Sequence, residues 1–129
     1  MLNDCMPKIL VVDDDKDLLE VMYSLLSKKG FEVEVNSNWE DAANKIDTFN
    51  PQIIILDVFL SGVDGLEICQ QLKSQPKTRD IPVLIFSAYP RIAEKVIYEY
   101  GADDFIEKPF EINDLIMKVH SVLSHAVPC

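Results

Sequence analysis

Glycine is scarce in this chain: four of 129 residues, at positions 30, 62, 65 and 101. No GxGxxG dinucleotide fingerprint and no GxxxxGK(S/T) phosphate loop can be written with them. Cysteine is scarcer, with Cys5, Cys69 and Cys129 in no CxxC spacing, and an odd count leaves no closed disulfide set. Basic residues are few, 12 against 22 acidic, for a formal net charge of −10. Such a surface repels nucleic acid and anionic membrane, so direct binding to either is not expected, and cations or proteins with basic patches are the expected partners. Long hydrophobic runs are missing too, since every apolar stretch falls well short of the ~18–20 residues of a membrane span. The first residues, Met1-Leu2-Asn3-Asp4-Cys5, lack the basic and apolar regions of a signal peptide, so the expected location is cytoplasmic. No internal repeat or low-complexity tract interrupts the chain.

What is present is enough apolar material for one core: 48% of residues are hydrophobic and 26% charged, which at this length means a single domain. Its expected extent is residues 8–126, after an N-terminal segment, 1–7, and before a tail or start of a linker, 127–129.

Residues 8–12 form an apolar run without polar alternation, the mark of a strand covered on both faces. A helix should follow, with Leu18, Met22, Leu25 and Leu26 at three- and four-residue spacing, Asp14 or Asp15 as N-cap, and Gly30 as the stop after Lys28 and Lys29. Residues 31–35 alternate Phe31, Val33 and Val35 with Glu32 and Glu34, as an edge strand would. Ser37 or Asn38 can cap the second helix, which should end by Asn50-Pro51. The all-apolar Ile53-Ile54-Ile55-Leu56 reads as the most buried strand. A loop, residues 61–65, then leads to a helix that turns Leu66, Cys69 and Leu72 inward. Residues 83–86 are the next strand, Ile92, Val96 and Tyr100 mark a helix closed by Gly101, and Phe105-Ile106 is the last strand. The final helix should bury Ile112, Leu115, Ile116, Val119 and Leu123. Five strands alternating with five helices predict an α/β fold, a doubly wound five-stranded parallel sheet in a flavodoxin-like (βα)5 three-layer sandwich.

In such sheets, ligands bind beyond the carboxyl ends of the strands, and there the chain carries its reactive groups. Asp13 and Asp14 end the first run, Asp57 the third, Ser87 the fourth, and Lys108 follows the last. Taken alone, Asp13-Asp14-Asp15 reads as an acidic helix N-terminus, Ser87 as a turn residue and Lys108 as a surface lysine. Asp57 resists so plain a reading, because a carboxylate closing a buried run must be solvated or paired with a cation. Converging carboxylates repel unless a cation lies between them, and magnesium, a hard ion that takes oxygen ligands, suits them. From Lys108 an ammonium could reach Asp57 and pair with it.

These residues resemble the receiver domains of two-component response regulators over nearly the whole chain, from about Lys8 to His125. The motifs are Val12-Asp13-Asp14, Leu56-Asp57, Asp64-Gly65, Ser87-Ala88 and Lys108-Pro109-Phe110, in this order. The resemblance implies that Asp57 is the phosphoacceptor. It implies that Asp13, Asp14, Asp57 and the backbone carbonyl of Phe59 bind Mg2+, with Mn2+ as a substitute, and that Ser87 and Lys108 stabilise the phosphoryl group. It also implies a switch in which the Ser87 hydroxyl and the ring of Phe105 move, reported by the face of the fourth helix, last strand and last helix, and a cis bond between Lys108 and Pro109. The implied partners are a histidine kinase or histidine phosphotransfer protein, a downstream effector or fused output domain, and a second copy in a phosphorylation-linked dimer.

Two departures stand out. Ser61 replaces the proline usual four residues after the acceptor. Phe59 and Tyr89, two residues beyond Asp57 and Ser87, flank the approach of water to an acyl phosphate, so slow self-hydrolysis is expected; Tyr89 could instead belong to the switching face. An aspartate-based phosphatase would carry an acid where Phe59 stands, and a phosphorylation-independent binding module would not need the full acidic set. His120 and His125, five apart on one helix, point to different faces and read as structural or solvated. Cys69 reads as a small core residue, and Tyr98 as exposed and a candidate for partner contact.

Overall fold

The structure is a computed structural model that describes residues 6–60, 62–88 and 93–124. The expectations on Cys5, Ser61, Tyr89, Ile92, His125 and Cys129 lie outside the described residues. Along the chain run β1 (Lys8–Val12), α1 (Lys16–Lys28), β2 (Glu32–Asn36), α2 (Trp39–Phe49), β3 (Ile53–Asp57), β4 (Phe59–Leu60), β5 (Val63–Asp64), α3 (Gly65–Ser74), β6 (Val83–Ser87), α4 (Ala93–Tyr98), β7 (Asp104–Glu107) and α5 (Ile112–Ser124). Five strands form one parallel sheet in the order β2-β1-β3-β6-β7, so β3 is central and β2 is an edge.

The side-chain period of two divides the core into two layers. Ile9, Val11, Ile53, Ile55, Leu84, Phe86 and Ile106 point to one side, where they meet Leu19, Met22 and Leu26 of α1 and Leu115, Val119 and Val122 of α5. Leu10, Val12, Ile54, Leu56, Val83, Ile85 and Phe105 point to the other, against Ala42 of α2 and Ile68, Cys69 and Leu72 of α3. These are the two helical layers of the expected sandwich. No helix among the described residues is long and apolar enough to cross a membrane.

Helix ends follow local chemistry. Asp15 caps α1, its carboxylate accepting from the amides of Asp17 and Leu18 at 3.0 and 3.2 Å, and Gly30 leaves the helix at φ +94°. Asn38 caps α2 by accepting from Asp41 N at 2.9 Å, and Asn50 ends it in the left-handed region, which asparagine tolerates.

The structure departs from the sequence reading in six places, one of them in α3, where Ile68 is buried and Leu66, expected inward, is only partly so. β2 begins at Glu32, although Phe31 is buried beside it. The segment read as a loop after Asp57 holds an antiparallel hairpin, with Phe59 opposite Asp64 and Leu60 opposite Val63. Tyr100 lies past the end of α4 rather than in it. In α1, Leu19 is buried while Leu18 and Leu25 are only partly so, and in α5 Val122 takes the core place expected of Leu123. The helix shifts have one cause: each residue turns the face by ~100°, so an i, i+4 pattern leaves its direction uncertain by one residue.

Candidate functional site at the exit of the central strands

Register brings the carboxylates together. β1 and β3 run side by side, with Val12 level with Leu56, so Asp13 and Asp57 leave the sheet next to each other. Asp57 in turn is level with Phe86 of β6. The end of β6 holds the start of the Lys108 loop, because the Lys108 amide donates to the carbonyl of Ser87 at 2.8 Å. The Lys108-Pro109 peptide bond is cis.

Asp13 has no solvent exposure, and Asp57 and Ser87 are buried as well, whereas Asp14 is exposed. One carboxylate oxygen from each of Asp13, Asp14 and Asp57 falls within 4.8 Å of the others. Both oxygens of Asp13 are engaged: Oδ1 accepts from the Asp15 amide at 2.9 Å and Oδ2 from Lys108 Nζ at 2.7 Å. The same ammonium is 3.5 Å from Asp57 Oδ2 and 4.5 Å from the centroid of the Phe86 ring. The sequence reading paired Lys108 with Asp57; the shorter contact is with Asp13.

Burial first, and then the neighbouring Asp13 carboxylate, push the Asp57 carboxyl up from the ordinary 3.8 to about 6; Lys108 and the Val58 amide pull the other way without cancelling them. The site therefore holds more negative charge than the Lys108 ammonium balances. Three oxygens at such spacing, two of them on buried residues, fit a hard divalent cation.

The loop beyond Asp57 is pinned from below. Gly65 opens α3, its amide donates to Val58 O at 2.7 Å, and a Cβ there would collide with the carbonyl oxygen of Asp57 and come within 2.9 Å of Val58 Cα. Asp64 caps the helix by accepting from Leu66 N at 2.9 Å. The backbone of Phe59 is thus fixed by the hairpin, while the residue is 60% exposed. Phe105 is buried on the α2 and α3 side of the sheet, away from the Lys108 layer. His120 contacts Phe31, ring centroids 5.4 Å apart, and takes no part in the site. Phe86 was passed over in the sequence because a phenylalanine inside an apolar run signals only core.

Known proteins are similar to this chain in sequence and in fold. The model of the response regulator receiver domain family matches residues 9–120. The response regulator MprA of Mycolicibacterium vanbaalenii is 35% identical over 122 residues, which is 94% of this chain and 52% of that protein. The chain thus spans about half the length of the curated relatives it matches. Among solved structures, the receiver domain of NtrX from Brucella abortus aligns with a TM-score of 0.81 at 34% identity, covering 90% of this chain and 98% of that one. The signal receiver domain of a signal transduction histidine kinase from Syntrophus aciditrophicus aligns with a TM-score of 0.82 at 34% identity, covering 92% and 91%.

Proposed function

The chain belongs to the receiver domains of two-component response regulators, and from that premise we propose that Asp57 accepts a phosphoryl group from a histidine kinase or histidine phosphotransfer protein. The observation that carries the reading is a buried carboxylate at the exit of the central strand, with two more carboxylates within reach of one cation and an ammonium 3.5 Å away. In the transfer, an Asp57 oxygen forms a bond to phosphorus in line with the donor, the phosphorus–nitrogen bond breaks, and the imidazole leaves with the electron pair. Asp13, Asp14, Asp57 and the backbone carbonyl of Phe59 would hold Mg2+, or Mn2+ in its place. When bound, such an ion neutralises charge on the phosphoryl oxygens.

The chain's own residues do the rest. Lys108 donates to one phosphoryl oxygen and the Ser87 hydroxyl to another. Movement of Ser87 and Phe105 then alters the surface of α4, β7 and α5, where Ile97, Tyr98 and Met117 stand exposed, Tyr98 at 83%. That surface meets a downstream effector, a fused output domain or a second phosphorylated copy. With Phe59 where an aspartate phosphatase carries its acid, the protein holds the phosphoryl group rather than turning over substrate, and Phe59 with Tyr89 slows its hydrolysis.

Intact mass after incubation with acetyl phosphate and magnesium tests this. A magnesium-dependent phosphate adduct on wild type that Asp57→Asn lacks is the expected result. No adduct on either protein would leave a phosphorylation-independent binding module, and continuous release of phosphate from small esters would mean a phosphatase.

A further inference from the structure

The ammonium of Lys108 is held from three sides, by Asp13 Oδ2 at 2.7 Å, Asp57 Oδ2 at 3.5 Å and the Phe86 ring at 4.5 Å from its centroid. The ring is as well fixed as the carboxylates. Phe86 is fully buried and level with Asp57 in the sheet. Phe110 packs against Phe86 in a T-shaped arrangement, centroids 6.2 Å apart at 67°. The next residue after Phe86, Ser87, accepts the backbone amide of Lys108, so ring and lysine are anchored to each other within one residue.

A cation arriving at Asp13 finds each oxygen already accepting one hydrogen bond and competes with Lys108 for Oδ2. One is bonded to a backbone amide at the start of α1 and the other to Lys108. The side chain is the partner that can move. We propose that Phe86 is a positioning residue for Lys108: its ring face carries the ammonium, so that the lysine stays over Asp57 when a metal ion takes Asp13. An aliphatic residue at 86 would fill the same core volume but offer the charge no partner. The displaced lysine, already 23% exposed along its side chain, would then turn to water. The electron-rich face of an aromatic ring holds a desolvated ammonium where an alkyl surface does not.

This inference rests on the phosphoacceptor reading above, and its test separates the two. Phe86 is replaced by 3,4,5-trifluorophenylalanine, which keeps the ring's shape and strips its face of negative charge, in the 129-residue chain with Lys108 and in Lys108→Met. Urea unfolding of the metal-free protein is the first readout. Fluorination should weaken folding about fivefold more in the lysine background than in the methionine background. The rate of Asp57 phosphorylation by acetyl phosphate at saturating magnesium is the second: fluorination should lower it several-fold with Lys108 present and should leave the already slower rate of Lys108→Met where it is. Equal effects in the two backgrounds on either readout would reduce Phe86 to a core residue and overturn the proposal while leaving Asp57 a phosphoacceptor. If the unfluorinated protein forms no adduct, the phosphoacceptor reading fails and the positioning role falls with it.

Discussion

Replacing Asp57 by asparagine should stabilise the metal-free protein at neutral pH, although it removes the residue on which function depends. Asp57 is 7% exposed, and burial and Asp13 raise its carboxyl from 3.8 to about 6. A carboxyl whose folded value lies above its unfolded one favours the folded state while it is protonated. That contribution is complete below about pH 4 and is lost as the pH climbs through about 6. At ~1.36 kcal/mol per pKa unit, ionised Asp57 costs the fold at most about 3 kcal/mol at neutral pH. Asparagine keeps the shape, carries no charge, and leaves the bond from Lys108 to Asp13 in place. Urea unfolding in the presence of a chelator should therefore show Asp57→Asn more stable than wild type by about 2–3 kcal/mol near pH 7.5, shrinking to under about 1 kcal/mol near pH 4. Added magnesium should stabilise wild type more than the variant, narrowing the gap. No gain near pH 7.5, or a gain of equal size at both pH values, would refute the account of the site as overcharged.

Gly65→Ala should cost about 3 kcal/mol in urea unfolding, because its Cβ would collide with the Asp57 carbonyl and the core must move to relieve it; a loss under about 0.5 kcal/mol would show the hairpin to be pliant. Phe59→Asn combined with Tyr89→Glu should shorten the phosphoaspartate lifetime several-fold, followed by loss of the phosphate adduct in mass spectra; an unchanged lifetime would remove the two rings from the account of hydrolysis. Cys69 is fully buried, and burial pushes its thiol from 9.0 up to about 11. In a Cys5→Ser, Cys129→Ser background it should react with a thiol reagent at least about a hundredfold more slowly than an exposed cysteine, from its thiolate fraction alone. Urea should abolish that protection, and fast labelling of the native protein would contradict the burial.

Much of the fold was legible because its signals are local. Apolar runs without alternation mark strands covered on both sides, and Val33 against Glu32 and Glu34 marks the edge. Asp15 and Asn38 cap helices through bonds that span two or three residues. The polar groups of the site were legible for a related reason: a carboxylate or an ammonium at the end of a buried run is conspicuous wherever the run lies in the sheet. Less could be read where a helix face had to be fixed to within one residue, as with Val122 and Leu123, or where two-residue strands gave no periodicity, as with the hairpin after Asp57.

The sequence by itself determined the order of the five sheet strands and five helices and set Asp13, Asp14, Asp57, Ser87 and Lys108 at strand exits, since both follow from the spacing of apolar and polar residues along one dimension. The tertiary structure decided which of those groups meet. The strand order and the register of β1 against β3 put Asp13 beside Asp57, which overcharges the site. The placement of the Lys108 loop gave the ammonium to Asp13 first and laid it over Phe86. Electrostatic energy depends on distances of a few ångström between residues up to 95 positions apart, and only the packed sheet sets those distances.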